Sequence, residues 1–298
     1  MHRVFVTGAT GFVGRAVIQA LRAEGHVVRC LVRRGSEADL HGFEAIERVE
    51  GDILGPVQTL EAEMAGCDTV VHLVGIIREH KTRGITFDLL HLVGTRNVIV
   101  AAATAGARRL LHMSALGTRA NARARYHRTK WAAEEAVRAS GLAWTIFRPS
   151  VIYGPGDGFL SLLAGMVRRM PVVPVIGDGR QRLQPVPIEH VAQGFARAVT
   201  VETSVKQTYT VAGPDAVSMV ELLQMIGAAM HRRVRLARVP MGLVRPVASA
   251  LHRAPTFPVT PDQLLMLEED NTGDPTPFYT TFGITPMPLA QGLRQVLG

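Results

Sequence analysis

Tyr126 and Lys130 stand four positions apart, so on a helix they share one face. A phenol ordinarily titrates near pH 10, too high for acid–base work at neutral pH, and a neighbouring ammonium favours the phenolate and lowers that value. Ser114, earlier in the chain, offers a hydroxyl that can polarise a carbonyl oxygen. The three together supply a proton donor, a cation to tune it and a group to orient a substrate carbonyl. Such a set is useful beside a hydride source. Tyr-x-x-x-Lys alone arises by chance in many helices, so its weight comes from its setting.

That setting begins with Thr7-Gly8-Ala9-Thr10-Gly11-Phe12-Val13-Gly14, which follows a predicted strand and opens a predicted helix. Gly8, Thr10, Gly11, Phe12, Val13 and Gly14 are the expected pyrophosphate-binding residues. There the chain must turn tightly, backbone amides must approach the phosphates, and the helix must pack close to the sheet. A tight turn that holds nothing is the plainer alternative, and the flanking strand and helix weigh against it.

About 20 residues on, where an acid would hold the ribose hydroxyls of NAD, the chain reads Val32-Arg33-Arg34, with no acid before Glu37. Two guanidiniums suit a 2′-phosphate through forked, charge-assisted hydrogen bonds. NADP(H) is therefore the expected cofactor ahead of NAD(H), the alternative being two solvated surface arginines. Asp52 and Ile53, after the third strand, are expected at the adenine, and Leu73, Val74 and Gly75, after the fourth, along the cofactor's middle. Lys130 would also hydrogen-bond the nicotinamide ribose.

The elements that must position these residues alternate, as in a parallel, doubly wound sheet. Strands are predicted at 3–7, 27–32, 46–50, 69–73, 109–114 and 144–148, and helices at 12–23, 85–105 and 126–139. Beyond Pro149 prolines break the chain into short pieces. Helices are expected there at 188–199, 219–231, 241–251 and 289–297. The reading is an α/β fold: a Rossmann dinucleotide-binding domain over 1–150, to which helix 188–199 returns, and a smaller α+β substrate-binding region over 151–298.

With 298 residues, 47% hydrophobic and 19% charged, the chain reads as a globule that can bury a substantial core. Cys30 and Cys67 sit in or beside apolar runs, which suits buried thiols; no zinc-ligand spacing exists, and no metal is expected. The net charge of +8 is spread largely over scattered arginines, and only 5% of residues are aromatic, so no nucleic-acid partner is expected. The opening residues show neither the basic n-region nor the long apolar stretch of a signal peptide, no apolar run approaches the length that spans a bilayer, and a cytoplasmic location is expected. A position peripheral to a membrane stays open, because the apolar–basic segment 239–253 suits either lipid contact or a lid helix over the substrate. Apolar residues on the long helices leave a homodimer open as well.

TGATGFVG, the Ser114/Tyr126/Lys130 set and the run from Arg148-Pro149-Ser150 through Ile152-Tyr153-Gly154 to Asp157 resemble the extended or atypical short-chain dehydrogenase/reductases. His112-Met113-Ser114-Ala115-Leu116-Gly117 and Tyr126-His127-Arg128-Thr129-Lys130 are similar to the subgroup that includes the nucleotide-binding accessory subunit of respiratory complex I and its bacterial relatives. The resemblance spans nearly the whole chain. It implies that Met113, Pro149 and Ile152 border the cofactor and that the segment beyond lines the substrate cleft. It also implies an active-site asparagine in an Asn-x-x-Gly-Thr setting. Here that setting reads His91-Leu92-Val93-Gly94-Thr95, so His91 either replaces the asparagine or is a helix residue near the cleft.

Three functions follow as expectations. The first is NADP(H)-dependent hydride transfer to or from a carbonyl or hydroxyl of a small molecule, with composition pointing to an apolar one. The second is a non-catalytic NADP(H)-binding accessory or redox-sensing protein of a membrane respiratory complex. The third is an NAD-dependent sugar-nucleotide epimerase or dehydratase.

Overall fold

The computed structural model describes residues 1–36, 40, 42–43, 45–251 and 260–298. Glu37 and the end of the apolar–basic segment, His252 and Arg253, lie outside the described residues. The chain forms two compact units.

The first unit gathers Met1–Pro149, Ile188–Val211 and Thr276–Ile284. Its sheet has seven parallel strands, in the spatial order Gln207–Val211, Ala143–Pro149, Arg109–Met113, Thr69–His72, Arg3–Thr7, Val27–Val32 and Glu47–Glu50. Central strands are short apolar runs because both faces are covered; Thr69–His72 is buried at every position. Phe5, Leu60, Met64, Val98, Leu110, Val137 and Trp144 share one core cluster, to which helices Val57–Met64, Gly94–Thr104 and Arg125–Arg138 contribute. Helices Phe12–Ala23, Ile188–Ala198 and Thr276–Phe282 form a second group. Helix Phe12–Ala23 buries Gly14, Val17, Ile18 and Leu21, the stripe a 3.6-residue period puts on one face. An added Cβ at Gly194 would stand 2.4 Å from the Phe278 ring, so this helix contact needs glycine.

Several elements differ from the sequence expectation. Residues 85–105 do not form one uniform helix: a π-helical stretch, Asp88–Val93, precedes the α-helix Gly94–Thr104. Helices Val57–Met64 and Phe159–Arg169 and the strand Gln207–Val211 were not expected. Cys30 and Cys67 are buried free thiols, and burial pushes the Cys30 thiol up to about 12.

The second unit gathers Ser150–Pro187, Ala212–Pro275 and Thr285–Gly298. Helices Phe159–Arg169, Met219–Ala229 and Leu289–Leu297 bury Leu160, Leu163, Val167, Leu222, Ile226 and Leu293 around Tyr153. Three short strand pairs accompany them, the longest being Val173–Ile176 beside Leu236–Val239. Ser218 and Glu221 form a reciprocal cap that fixes the start of Met219–Ala229. Among the described residues no helix is long and apolar enough to cross a membrane, and no cluster of His, Cys, Asp or Glu could hold a metal ion.

Candidate active site

The strand order reverses between Arg3–Thr7 and Thr69–His72. A crevice opens outside the carboxyl ends of parallel strands at such a switch point. The glycine loop leaves the first of these strands and Leu73-Val74-Gly75 leaves the second, and the two segments touch. An added Cβ at Gly8, whose φ is +75°, would stand 3.1 Å from the Leu73 carbonyl carbon and 3.1 Å from the Val74 nitrogen. At Gly14 it would stand 2.1 Å from the Gly8 carbonyl oxygen. Gly11 precedes helix Phe12–Ala23 with no side chain capping it, so the first-turn amides beside Thr10, Phe12 and Val13 carry the helix's positive end into the loop. This cradle of backbone fits a pyrophosphate, which needs close approach and unblocked amides.

Tyr126 and Lys130 lie on helix Arg125–Arg138, and both are buried. The helix is pinned by Glu134, one turn beyond Lys130 and fully buried. Its carboxylate accepts Arg148 Nε at 2.8 Å and Nη2 at 2.6 Å, and Arg138 Nη2 at 2.7 Å. Arg148 belongs to strand Ala143–Pro149, so this fork ties the helix to the sheet. The Lys130 ammonium donates to the Met113 carbonyl at 3.0 Å. An added Cβ at Gly75 would stand 2.9 Å from that ammonium and 3.7 Å from His91 Nε2. The structure thus brings Gly75, Met113, His91, Tyr126 and Lys130 together. Ser114 follows Met113; it is buried and its hydroxyl lies 3.4 Å from that of Thr118.

Burial lowers the Lys130 ammonium to about 8, Glu134 working the other way. Burial also pushes the Tyr126 phenol up to about 12, opposite to the direction the neighbouring ammonium alone predicts. Desolvation of the phenolate sets the direction here.

His91 sits in the π-helical stretch with its ring stacked on Phe87 and edge-on to Tyr126, centroids 5.3 Å and 5.4 Å away. Its Nδ1 lies 2.9 Å from Thr129 Oγ1, whose hydroxyl donates to the Tyr126 carbonyl at 3.0 Å. Its Nε2 lies 3.2 Å from the Ile76 amide nitrogen and 3.1 Å from the Ile76 carbonyl oxygen, so the ring is held through both nitrogens whichever of them carries the proton. Burial, and then Lys130, lower His91 to about 2, which keeps it neutral. A second chain joins it: Thr7 Oγ1 meets His72 Nδ1 at 2.7 Å, His72 Nε2 meets Thr95 Oγ1 at 3.0 Å, and Thr95 donates to the His91 carbonyl. These polar residues connect the glycine loop to the π-helical stretch. The family resemblance singles out His91, and nothing in the sequence assigns a role to Thr7, His72, Thr95 or Thr129.

The remaining expected residues fall in four places. Arg33 and Arg34 are exposed at the end of Val27–Val32, and Arg34 pairs with Glu50 at 3.1 Å. Asp52 is exposed, whereas Ile53 is buried and its carbonyl accepts Asn97 Nδ2 at 2.8 Å. Pro149 ends its strand, its carbonyl accepting the Leu116 amide at 2.8 Å. Ile152 belongs to the second unit, on a short strand paired with Val186–Pro187.

An NAD(P)H-binding family model matches residues 8–159, and an RmlD substrate binding domain model matches residues 118–257. The chain is 33% identical to the ceramide reductase of Caulobacter vibrioides, over 80% of this chain and 73% of the relative. It is 29% identical to the mitochondrial NADH dehydrogenase [ubiquinone] 1 alpha subcomplex subunit 9 of Arabidopsis thaliana, over 89% of this chain and 68% of the relative. Its fold is similar to the crystal structure of UDP-glucuronic acid 4-epimerase from Bacillus cereus in complex with UDP-glucuronic acid and NAD. That likeness has a TM-score of 0.74 at 17% identity, covering 98% of this chain and 96% of the other.

Proposed function

Because this chain belongs to the NAD(P)H-binding family of extended short-chain dehydrogenase/reductases, we propose that it is an NADP(H)-dependent oxidoreductase that reduces a carbonyl, or oxidises the corresponding alcohol, of a small apolar substrate. The observation that carries the reading is the buried Tyr126/Lys130 pair on one helix face, with the Lys130 ammonium within 3.0 Å of the Met113 carbonyl at the carboxyl end of its strand. NADPH supplies the hydride when bound. The Ser114 hydroxyl donates to the substrate carbonyl oxygen and holds it. Tyr126, kept protonated at neutral pH by its burial, delivers the proton to that oxygen, so that C=O becomes CH–OH. Lys130 orients the nicotinamide ribose, and its ammonium steadies the phenolate that Tyr126 leaves behind. His91 fixes Ile76 and, through Thr129, the backbone at Tyr126. Arg33 and Arg34 support the preference for a 2′-phosphate.

A second reading is an NADP(H)-holding accessory subunit of a respiratory complex, favoured by the similarity to the plant NADH dehydrogenase subunit. One experiment separates them. NADPH oxidation is followed with a panel of long-chain ketones and aldehydes, for the parent chain and for Tyr126→Phe. Turnover lost by at least about a hundredfold in the variant, with NADPH binding intact, supports the enzyme. NADPH binding with no turnover of any carbonyl supports the accessory protein.

A further inference from the structure

The charge of this chain is not evenly distributed. Residues 158–177 and 222–261 contain no Asp or Glu, and between them they hold eight arginines: Arg168, Arg169, Arg232, Arg233, Arg235, Arg238, Arg245 and Arg253. The whole chain has a net charge of +8, so everything outside these two stretches sums to neutral. Both stretches belong to the second unit, and they meet there. Strand Val173–Ile176 pairs in parallel with Leu236–Val239, the Val173 amide donates to the Arg235 carbonyl at 2.8 Å, and the Arg232 guanidinium donates to the Arg168 carbonyl at 3.0 Å. Arg168, Arg169, Arg232, Arg233, Arg235 and Arg238 are exposed, and among the described residues none is in an ion pair. Arg245 differs, being paired with Glu268.

A second, independent feature coincides with the first. The large apolar side chains of this unit that stand most open to water are Leu162, Met170, Val172 and Leu243, between 41% and 64% exposed. All four lie inside the two acid-free stretches. Unpaired arginines interleaved with exposed aliphatic side chains match an interface that is anionic outside and apolar just beneath. A nucleic acid would use the same charges but would want stacking aromatics, and the described parts of the two stretches contain a single aromatic residue, Phe159.

We propose that the described residues of the two acid-free stretches, 158–177 and 222–251, form a docking surface for an anionic phospholipid bilayer, with the six unpaired arginines at the headgroups and the four aliphatic side chains entering the acyl boundary. The reading does not rest on the oxidoreductase assignment, and its test needs neither cofactor nor substrate.

The full chain is floated with vesicles of phosphatidylcholine alone and with vesicles containing about one quarter phosphatidylglycerol. It is expected to float with the anionic vesicles only, and to be released as salt shortens the screening length. Arg233→Gln/Arg235→Gln removes two headgroup contacts and is expected to lower the partition coefficient about thirtyfold. Leu243→Ser alters one exposed aliphatic side chain and is expected to lower it about fivefold. All these side chains are exposed, and thermal melts of the variants should match the parent. A chain that stays off anionic vesicles, or whose partition is unchanged in either variant, overturns the proposal. So does a chain that binds duplex DNA of matched charge while ignoring the vesicles.

Discussion

His72 and His112 face each other in register on neighbouring strands, their rings stacked with centroids 5.4 Å apart. Neither reaches water, and neither ring nitrogen of His112 has a hydrogen-bond partner. Burial holds His72 at about 3 and His112 well below the ordinary imidazole value, as it holds His91 at about 2. The folded chain therefore carries three neutral imidazoles that an unfolded chain protonates near pH 6.5.

Below that pH the unfolded state binds more protons, so stability falls as the pH falls. With three such groups the loss should approach about 4 kcal/mol per pH unit between roughly pH 6 and pH 4. Urea titrations across that window measure it, and a flat profile would contradict the burial of these rings. His112→Leu should reduce the slope by about one group's share without lowering stability at neutral pH, since it removes nitrogens that bond to nothing.

Lys130 gives the opposite window. Its ammonium is lowered from 10.5 to about 8, so the folded state resists protonation there. The resulting penalty is fully present below about pH 8 and is relieved as the pH rises towards 10.5. Its size is on the order of 3 kcal/mol. Lys130→Met should abolish turnover, raise the neutral-pH melting temperature and remove the alkaline gain in stability. A variant that melts lower than the parent at neutral pH would show that the Met113 contact outweighs the desolvation.

Two glycines offer a matched pair. Gly14→Ala drives a methyl into the Gly8 carbonyl, 2.1 Å away, and should cost at least about 3 kcal/mol or displace the loop and weaken cofactor binding. Gly25→Ala has φ +78° but nothing within 4 Å, and should cost only about 1 kcal/mol. Equal losses in the two variants would mean that close packing plays no part in the loop.

Arg33 and Arg34 should contribute unequally. Arg34 already shares its charge with Glu50, whereas Arg33 is in no ion pair among the described residues. Arg33→Ala should weaken NADPH binding about tenfold to a hundredfold and leave NADH unchanged, with a smaller effect for Arg34→Ala. Calorimetry with both cofactors decides it, and equal weakening of NADH would remove the argument for a 2′-phosphate contact.

What could be read from the sequence was local. The glycine loop, the strands 3–7 and 27–32 and the helix around Tyr126 each carry their signal within a few residues, in turn chemistry or a regular apolar period. Val57–Met64 escaped because only Leu60 and Met64 of it are buried, too few to mark a period. The π-helical stretch at Asp88–Val93 inserts extra backbone without disturbing the side-chain pattern enough to notice. The chain from Thr7 through His72 and Thr95 to His91 joins a strand end, a second strand and a helix, and nothing in spacing relates them. The Tyr126 phenol shifts upward, against the sequence expectation, because spacing reports the ammonium but not the water that burial removes.

The first unit is threaded from three separate lengths of chain. A ribosome that has delivered Pro149 has made six of the seven strands, yet none of the rings that cover Phe147: Phe195, Tyr209, Phe278 and Phe282 all come later. The nascent sheet must wait with one apolar face covered only in part, by helix Phe12–Ala23, while the second unit's first segment is synthesised. Native contacts of such long sequence separation slow folding and leave the unfinished chain open to aggregation. Assembly of the nucleotide-binding half is thus a late event in the life of the polypeptide, although most of that half is translated ahead of the second unit.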